Sequence, residues 1–202
     1  MGMAKPLRPW FTIHELRRQG DRTMNQQLAG LAPLFERCQD KSVLDLGCAE
    51  GVISHLLVKH GAANAHGVDI IPEYIKMANK WAGGNIPWAL DPERRKPPKN
   101  FVFEVQDLNT WQPIGTYDIV LALASLHKVR NPSEACERYA DAAKELMVIR
   151  VPPGNGEMIV DQRSGMVPHD LGRIMRAKGF KLLRSEVGTF NEITHYYERV
   201  PA

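Results

Sequence analysis

The feature that most constrains the fold is the regular alternation of short apolar runs with longer amphipathic segments. The runs are rich in Val, Ile and Leu, and most of the segments between them place apolar residues at helical spacing, as Val52, Leu56 and Leu57 do. This βαβ alternation predicts a parallel sheet with helices on both faces, because strands covered on both faces need not alternate in polarity. The predicted strands are Ser42–Leu46, Ala65–Val68, Phe101–Val105, Asp118–Ala122 and Met147–Val151.

The C-terminal end of the chain departs from this alternation. Met166–Lys178 has helical spacing and ends at Gly179, a residue suited to a helix C-cap. Phe180–Glu186 and Thr194–Val200 are predicted strands, and so short a connection makes them antiparallel. The predicted fold class is therefore α/β, with a doubly wound, mostly parallel sheet, helices on both faces and a C-terminal antiparallel hairpin.

Length and composition predict one domain over residues 1–202. A chain of 202 residues with 44% hydrophobic and 24% charged residues suits a packed core and excludes a disordered or fibrous class. Residues 1–40 are predicted to form a helical extension over the core, which spans 41–202, and the proline-rich segment 81–100 is predicted to be a loop insertion. The net charge of +3 permits an RNA partner without requiring one.

Cysteine spacing and hydropathy give expectations about the compartment. Cys38, Cys48 and Cys136 are odd in number and lack metal-ligand spacing, so neither a disulfide framework nor a metal site is predicted. The first residues lack the apolar core of a secretory signal, and no stretch approaches 18 uninterrupted apolar residues. We expect a cytoplasmic protein with no membrane partner, and the oligomeric state is left open.

The most specific motif is the turn that follows the first predicted strand, Val43-Leu44-Asp45-Leu46-Gly47-Cys48-Ala49-Glu50-Gly51. A strand that runs through glycine into a helix lets backbone N–H groups approach a ligand closely. The glycines do not form a GxGxxG pattern, and Asp45 would repel a pyrophosphate but suits a cationic ammonium. The motif therefore favours a cationic ligand over a dinucleotide.

Two further acids end the next predicted strands. Asp69 lies 22 residues after Gly47, where an acid in a doubly wound sheet binds the hydroxyls of a ribose. Asp107 ends the third strand, where a carboxylate can accept hydrogens from an adenine amine. One acid at a strand end is common because Asp favours turns. Three acids behind one glycine turn instead predict a shared site at the carboxyl edge of the sheet.

These motifs resemble those of the class I S-adenosylmethionine-dependent methyltransferases over about residues 40–152. The matching segments are VLDLGCAEG, GVDI, VQDL and YDIVLALASLH. The resemblance implies a seven-stranded sheet and S-adenosylmethionine as cofactor, with Gly47 and its neighbours at the methionine part, Asp69 at the ribose, and Asp107 with Leu108 at the adenine. The predicted cofactor site comprises Asp45, Gly47, Cys48, Ala49, Gly51, Asp69, Ile70, Asp107, Leu108 and Ala122.

The acceptor is less constrained than the cofactor. Ala124-Ser125-Leu126-His127 stands where nitrogen methyltransferases carry an (Asp/Asn)-Pro-Pro-aromatic signature. His127 is the candidate general base because imidazole titrates near neutral pH, although a histidine that only packs in the loop fits the sequence equally well. A small-molecule oxygen is the favoured acceptor.

Three alternatives remain open at this point. An RNA (tRNA-type) methyltransferase would use the basic residues Arg94, Arg95, Lys96 and Lys99 on phosphates. A NAD-dependent oxidoreductase would need a turn compatible with pyrophosphate, and a non-catalytic scaffold would bind the cofactor without turnover.

Overall fold

The computed structural model describes residues 9–12, 19–83, 100–151 and 168–201. The strands are β1 Ser42–Leu46, β2 Asn64–Asp69, β3 Phe101–Val105, β4 Tyr117–Leu123, β5 Ala143–Val151, β6 Phe180–Val187 and β7 Ile193–Arg199. The helices are α1 Met24–Leu28, α2 Ala32–Arg37, α3 Val52–Lys59, α4 Pro72–Ala82, α5 Pro132–Ala142 and α6 Pro168–Ala177, and a short 3-10 helix spans Leu126–Lys128.

The strands form one sheet in the order β3-β2-β1-β4-β5-β7-β6. β3, β2, β1, β4 and β5 are parallel neighbours, whereas β7 runs antiparallel to both β5 and β6. The predicted fold class is therefore confirmed. The register pairs Leu46 with Val68 and Asp69 with Val105, so β1, β2 and β3 end at the same edge of the sheet.

Apolar side chains cover both faces of the sheet. On one face, Val120 and Met147 pack in a cluster with α5 and α6 through Tyr139 and Ile174. On the other face, Val43 and Leu121 share a cluster with α2, α3 and α4, whose contributions include Leu34, Leu57 and Trp81. Because a buried apolar layer covers each face of the sheet, the central strands are continuous apolar runs in the sequence.

Some element boundaries differ from the sequence-based prediction. Helical spacing extends through Leu146, but β5 already begins at Ala143, where Arg199 donates hydrogen bonds to the carbonyl oxygens of Ala140 and Ala143. At the start of the predicted 81–100 insertion, Trp81 still belongs to α4 and is buried, while residues 84–99 lie outside the described part of the chain.

In the ranges that the structure describes, none of the helices is long and apolar enough to cross a membrane.

Candidate active site

A cavity of about 290 Å³ opens at the carboxyl edge of the sheet, where β1, β2, β3 and β4 end. Its volume is at the small end of the range of about 300–1,000 Å³ for ligand sites. Eight of the predicted site residues line it: Asp45, Gly47, Cys48, Ala49, Asp69, Ile70, Asp107 and Leu108.

The turn after β1 is closed by hydrogen bonds within the protein. The N–H groups of Gly47 and Cys48 both donate to the carbonyl oxygen of Val68, at 2.8 and 3.0 Å. The N–H of Ala49 donates to Asp69 Oδ2 at 3.0 Å, and that of Gly51 to the carbonyl oxygen of Cys48 at 2.9 Å. These four donors are already satisfied, so the turn does not offer them to a phosphate as a dinucleotide-binding loop would. The close approach of backbone N–H groups to a ligand at this turn stays a prediction.

Glycine is required at position 47 for a different reason. Its φ is 76°, and a Cβ there would lie 2.7 Å from Ser125 Cβ, so a side chain would collide with the segment after β4. The glycine thus lets β1 and β4 end close together at the cavity.

Three predicted residues are not among those lining the cavity. Gly51 is the N-cap of α3, and a Cβ there would lie 2.8 Å from Phe103, so the glycine serves packing between α3 and β3. Ala122 is fully buried inside β4. His127 lies in the 3-10 helix, half-buried, while Ser125, Lys128 and Val129 around it do line the cavity.

Asp45 is a buried carboxyl group at the floor of the cavity. Its Oδ2 accepts a hydrogen bond from Ser54 Oγ at 2.7 Å. The pKa of Asp45 is raised to about 6: burial is the largest cause, the hydrogen bond from Ser54 offsets part of the rise, and the nearby charge of Asp69 adds to it. A cation bound in the cavity would relieve this unfavourable placement of negative charge.

The other two acids stand at the ends of β2 and β3. Asp69 accepts from the N–H of Ala49 and from that of Ile71, both at 3.0 Å, so it fixes the turn after β1 and the start of α4 together. Asp107 accepts from the backbone N–H and the Nδ2 of Asn109, and these hydrogen bonds lower its pKa. Ile70, at 57% exposure, forms part of the open rim.

The N-terminal extension covers one side of the cavity, as Trp10, Phe11, Asp21 and Gln27 line it. Trp10 is held by a hydrogen bond from its N–H to Glu50 Oε1 at 2.9 Å. Residues 9–12 and 19–23 are not helical, so the described helices of the predicted helical extension are α1 and α2. The sequence predicted this cover only in outline, because no motif marks Gln27 or Asp21.

Two buried polar atoms at the cavity have no hydrogen-bond partner within the described protein, Gln27 Oε1 and Ser125 Oγ. Both residues are more than nine-tenths buried and line the cavity. Because an unsatisfied buried polar group costs about 1–3 kcal/mol, this pair points to a ligand with polar atoms of its own.

The sheet order and the cavity place the protein in the class of doubly wound α/β proteins that bind ligands at the carboxyl edge of the sheet. Within that class, the family model described as a methyltransferase domain matches residues 38–193, about three quarters of the chain. The chain belongs to this methyltransferase family, and the family prediction made from the motifs is confirmed.

Two curated relatives and one crystal structure illustrate the similarity. Ribosomal protein L11 methyltransferase of Xanthomonas campestris pv. campestris (strain 8004) is 32% identical over 116 residues, which cover 57% of this chain and 30% of that protein. Ubiquinone biosynthesis O-methyltransferase of Shewanella pealeana (strain ATCC 700345 / ANG-SQ1) is 29% identical over 107 residues, 52% of this chain and 39% of that protein. The chain thus spans less than half the length of either relative.

Among solved structures, magnesium protoporphyrin IX methyltransferase from Synechocystis PCC 6803, crystallised with bound S-adenosylmethionine, has a TM-score of 0.65. It is 21% identical, and the match covers 83% of this chain and 74% of that one. At this identity the likeness shows a shared fold.

Proposed function

We propose that this protein is an S-adenosylmethionine-dependent methyltransferase that acts on an oxygen atom of a small molecule. The observation that carries the proposal is the acid-lined cavity behind a glycine turn in which the N–H groups of Gly47, Cys48, Ala49 and Gly51 are already hydrogen-bonded within the protein. Such a site attracts a cationic nucleoside and offers a pyrophosphate little. The family membership of the chain and the S-adenosylmethionine-bound crystal structure of the Synechocystis methyltransferase support the same cofactor.

The residues of the cavity fit this cofactor in type and position. Asp69 would bind the ribose hydroxyls, Asp107 with Leu108 the adenine, and Asp45 would stabilise the positive charge of the methionine part. Burial of the Asp45 carboxylate is unfavourable when no positive charge lies nearby, so a bound cation would stabilise its ionised form. Cys48, Ala49 and Ile70 would shape the apolar wall.

The cofactor, when bound, supplies an electrophilic methyl group on a sulfonium. The chain's own residues hold that group in place, and the covering residues Trp10 and Phe11 limit the access of water. Positioning of this kind can supply about 7–11 kcal/mol of a barrier. His127 is proposed as the base that removes the acceptor's proton.

The cofactor proposal is tested by calorimetric titration of the protein with S-adenosylhomocysteine and, separately, with NAD. We expect saturable binding of S-adenosylhomocysteine at one site and no binding of NAD. Binding of NAD alone would instead support an oxidoreductase.

The acceptor proposal is tested with tritiated S-adenosylmethionine and either a small-molecule extract or total RNA. Label in the small-molecule fraction supports the proposal, and salt-sensitive labelling of RNA would overturn it. The basic residues between Arg94 and Lys99 lie outside the described residues, so their part in RNA binding stays a prediction from sequence.

The proposal also includes a cytoplasmic location, which the free cysteines of the described residues favour.

The base role of His127 has its own measurement. If His127 removes the acceptor's proton, His127→Ala lowers turnover about 10²–10⁴-fold and leaves the affinity for S-adenosylhomocysteine unchanged. Unchanged turnover would show that the histidine only packs in the loop. The test is sharp because His127 is not among the residues that line the cavity.

A further inference from the structure

A buried ion pair joins the cover of the cavity, residues 9–12 and 19–23, to the loop of residues 188–192 between β6 and β7. Arg22 Nη1 lies 2.6 Å from Glu192 Oε1, and the two side chains are 20% and 2% exposed. Glu192 directly precedes β7, whose first residue Ile193 pairs with Val151 at the end of β5. The ion pair therefore lies at the edge of the sheet where the cavity opens.

Within the cover, Arg22 fixes residues that line the cavity. Its N–H donates to the carbonyl oxygen of Trp10 at 3.1 Å, and its own carbonyl oxygen accepts from the N–H of Thr12 at 2.8 Å. Phe11 lies between these two hydrogen-bonded residues, and Asp21 precedes Arg22 in the chain. Trp10, Phe11 and Asp21 all line the cavity. A shift of Arg22 would therefore displace this part of the cavity lining.

The loop between β6 and β7 is shaped around the carboxylate of Glu192. The N–H of Phe190 donates to Glu192 Oε2 at 2.8 Å, and the N–H of Gly188 donates to the carbonyl oxygen of Glu192 at 2.7 Å. A Cβ at Gly188 would lie 2.7 Å from Glu192 Cδ, so the glycine leaves room for the carboxylate. The guanidinium carbon of Arg22 also lies 4.8 Å from the centroid of the Phe190 ring. The loop thus holds Arg22 by its charge and by an aromatic ring.

Glu192 is an ionised carboxylate near two guanidinium groups. Burial raises the pKa of Glu192, but hydrogen bonds from backbone N–H groups and from Arg22 more than offset this effect, so the pKa is lowered. Burial also lowers the pKa of Arg150, the charge of Glu192 raises it, and the charge of Arg22 lowers it. Arg22 and Arg150 therefore repel each other, and Glu192 offsets that repulsion. An uncharged side chain at position 192 would loosen the hold on both arginines.

We propose that Glu192 is a positioning residue that, through Arg22, keeps Trp10 and Phe11 over the cavity and thereby sets how long the cofactor stays bound. The inference rests on the proposed function, because the ligand retained is the cofactor of that site. Glu192 is not among the residues that line the cavity, so it acts through Arg22 and takes part in no chemical step.

The test measures the association and dissociation rate constants of S-adenosylhomocysteine by surface plasmon resonance on the full chain. Glu192→Gln should raise the dissociation rate constant about tenfold or more, because the cover loses a charged hydrogen bond, and should change the association rate constant much less. Arg22→Met should have a similar effect. The double variant should be no worse than either single variant, because both changes remove the same pair. Arg22→Lys keeps a positive charge opposite Glu192 and should recover part of the loss.

Glu198→Gln is the matched control. Glu198 also lies on β7 and is also paired with an arginine of the N-terminal helices, since Arg37 Nη1 lies 3.1 Å from its Oε1. It pairs in register with Leu146, so it lies towards the start of β5 and away from the edge where the cavity opens. This variant should leave both rate constants unchanged.

Urea unfolding of the same variants separates positioning from stability. A purely structural role for Glu192 would lower the free energy of unfolding and leave the dissociation rate constant at the wild-type value, which would overturn the inference. An equal rise in Glu198→Gln would also overturn it. If Glu192→Gln does not fold, Arg22→Met decides, because Arg22 is partly exposed. If the wild type fails to bind S-adenosylhomocysteine, the proposed function itself fails, so the two failures are distinguishable.

Discussion

At the scale of single residues, the carboxylate of Asp69 has two structural tasks before any ligand binds. It fixes the N–H of Ala49, a non-glycine residue at φ 47°, and the N–H of Ile71 at the start of α4. A residue that shapes the turn and faces the cavity couples the stability of the protein to its ligand affinity.

Asp69→Ala is therefore expected to weaken S-adenosylhomocysteine binding by about 1–3 kcal/mol, as for the loss of a charged hydrogen-bond acceptor. It should also lower the free energy of unfolding, because a buried N–H group at Ala49 and a part-buried one at Ile71 lose their acceptor. Calorimetry and urea unfolding measure the two effects. Asp118→Asn is the control, since Asp118 accepts hydrogen bonds from Ser42 at the other end of the sheet and should leave the affinity unchanged. Wild-type affinity in Asp69→Ala would remove this residue from the ligand site.

If Asp45 binds the cofactor as proposed, we expect cofactor binding to depend on pH. Its pKa of about 6 lies above the unfolded value of 3.8, so the folded protein binds this proton more tightly than the unfolded chain does. The cost of the buried charge is fully present above about pH 6, declines as pH falls from about 6 towards 3.8, and is gone below 3.8, where both states are protonated. An ammonium bound beside Asp45 favours the ionised form, and the homocysteine part of S-adenosylhomocysteine carries one, so its affinity should fall as pH drops from about 7.5 to about 5.

Asp45→Asn provides the comparison for this pH series. The amide keeps an acceptor for Ser54 but does not ionise, so its affinity should be lower at neutral pH and nearly independent of pH in this range. A pH slope equal to that of the wild type would assign the titration to another group.

At the scale of elements, the turn after β1 shows how a single missing side chain joins two strands. Gly47 and Gly115 both have positive φ, but a Cβ at 47 meets Ser125 whereas a Cβ at 115 has nothing within 4 Å. Substitutions at these two glycines therefore separate the free-energy cost of a positive φ from the cost of a side-chain collision.

Gly115→Ala should destabilise the protein by about 1–2 kcal/mol, the cost of a left-handed conformation for an L-residue. Gly47→Ala should add about 1–3 kcal/mol for overpacking. Urea unfolding of both variants measures the difference, and Gly47→Ala with Ser125→Gly should recover part of it. Equal losses in the two single variants would show that Ser125 moves aside freely.

The boundary between α5 and β5 also depends on contacts between different elements. The sequence continues at helical spacing to Leu146, yet the chain becomes extended at Ala143. Arg199 from β7 donates to the carbonyl oxygens of Ala140 and Ala143 at the helix end, where the carbonyl oxygen of Ala140 also accepts from the N–H of Ala143. A partner more than 50 residues away ends the helix, so local spacing could not predict it.

At the scale of the whole molecule, Arg150 joins the sheet to the N-terminal extension. It is 1% exposed and donates to Thr194 Oγ1 and to the carbonyl oxygens of Gln27 and Ala29, at 2.9, 2.8 and 2.6 Å. These bonds hold α1, and with it Gln27, against the cavity.

Arg150→Met should destabilise the protein by about 1.5–3 kcal/mol, because the buried carbonyl oxygen of Gln27 and the part-buried one of Ala29 lose charged donors. It should also weaken S-adenosylhomocysteine binding by loosening the cover over the cavity. Arg184→Met, which removes an exposed arginine paired with Glu186, should cost less than about 1 kcal/mol. Thermal unfolding with and without S-adenosylhomocysteine tests both variants, and a similar loss in the two would contradict a special role for Arg150.

The sequence by itself determined the fold class, most strand positions and the residues at strand ends. Apolar runs and helical spacing are local patterns, and parallel strands bring Asp45, Asp69 and Asp107 to one edge whatever the details of packing. The acidic side of the cavity was predictable for that reason.

The tertiary structure alone decided what covers the cavity and which residues hold that cover in place. Gln27, Arg150 and Glu192 have ordinary sequence surroundings, and their burial and partners depend on segments that meet only in the folded chain. The same holds for Gly47, which lines the cavity and whose missing side chain also avoids a collision with Ser125. Side-chain collision and hydrogen-bond satisfaction are properties of residues close in space, and a one-dimensional pattern does not contain them.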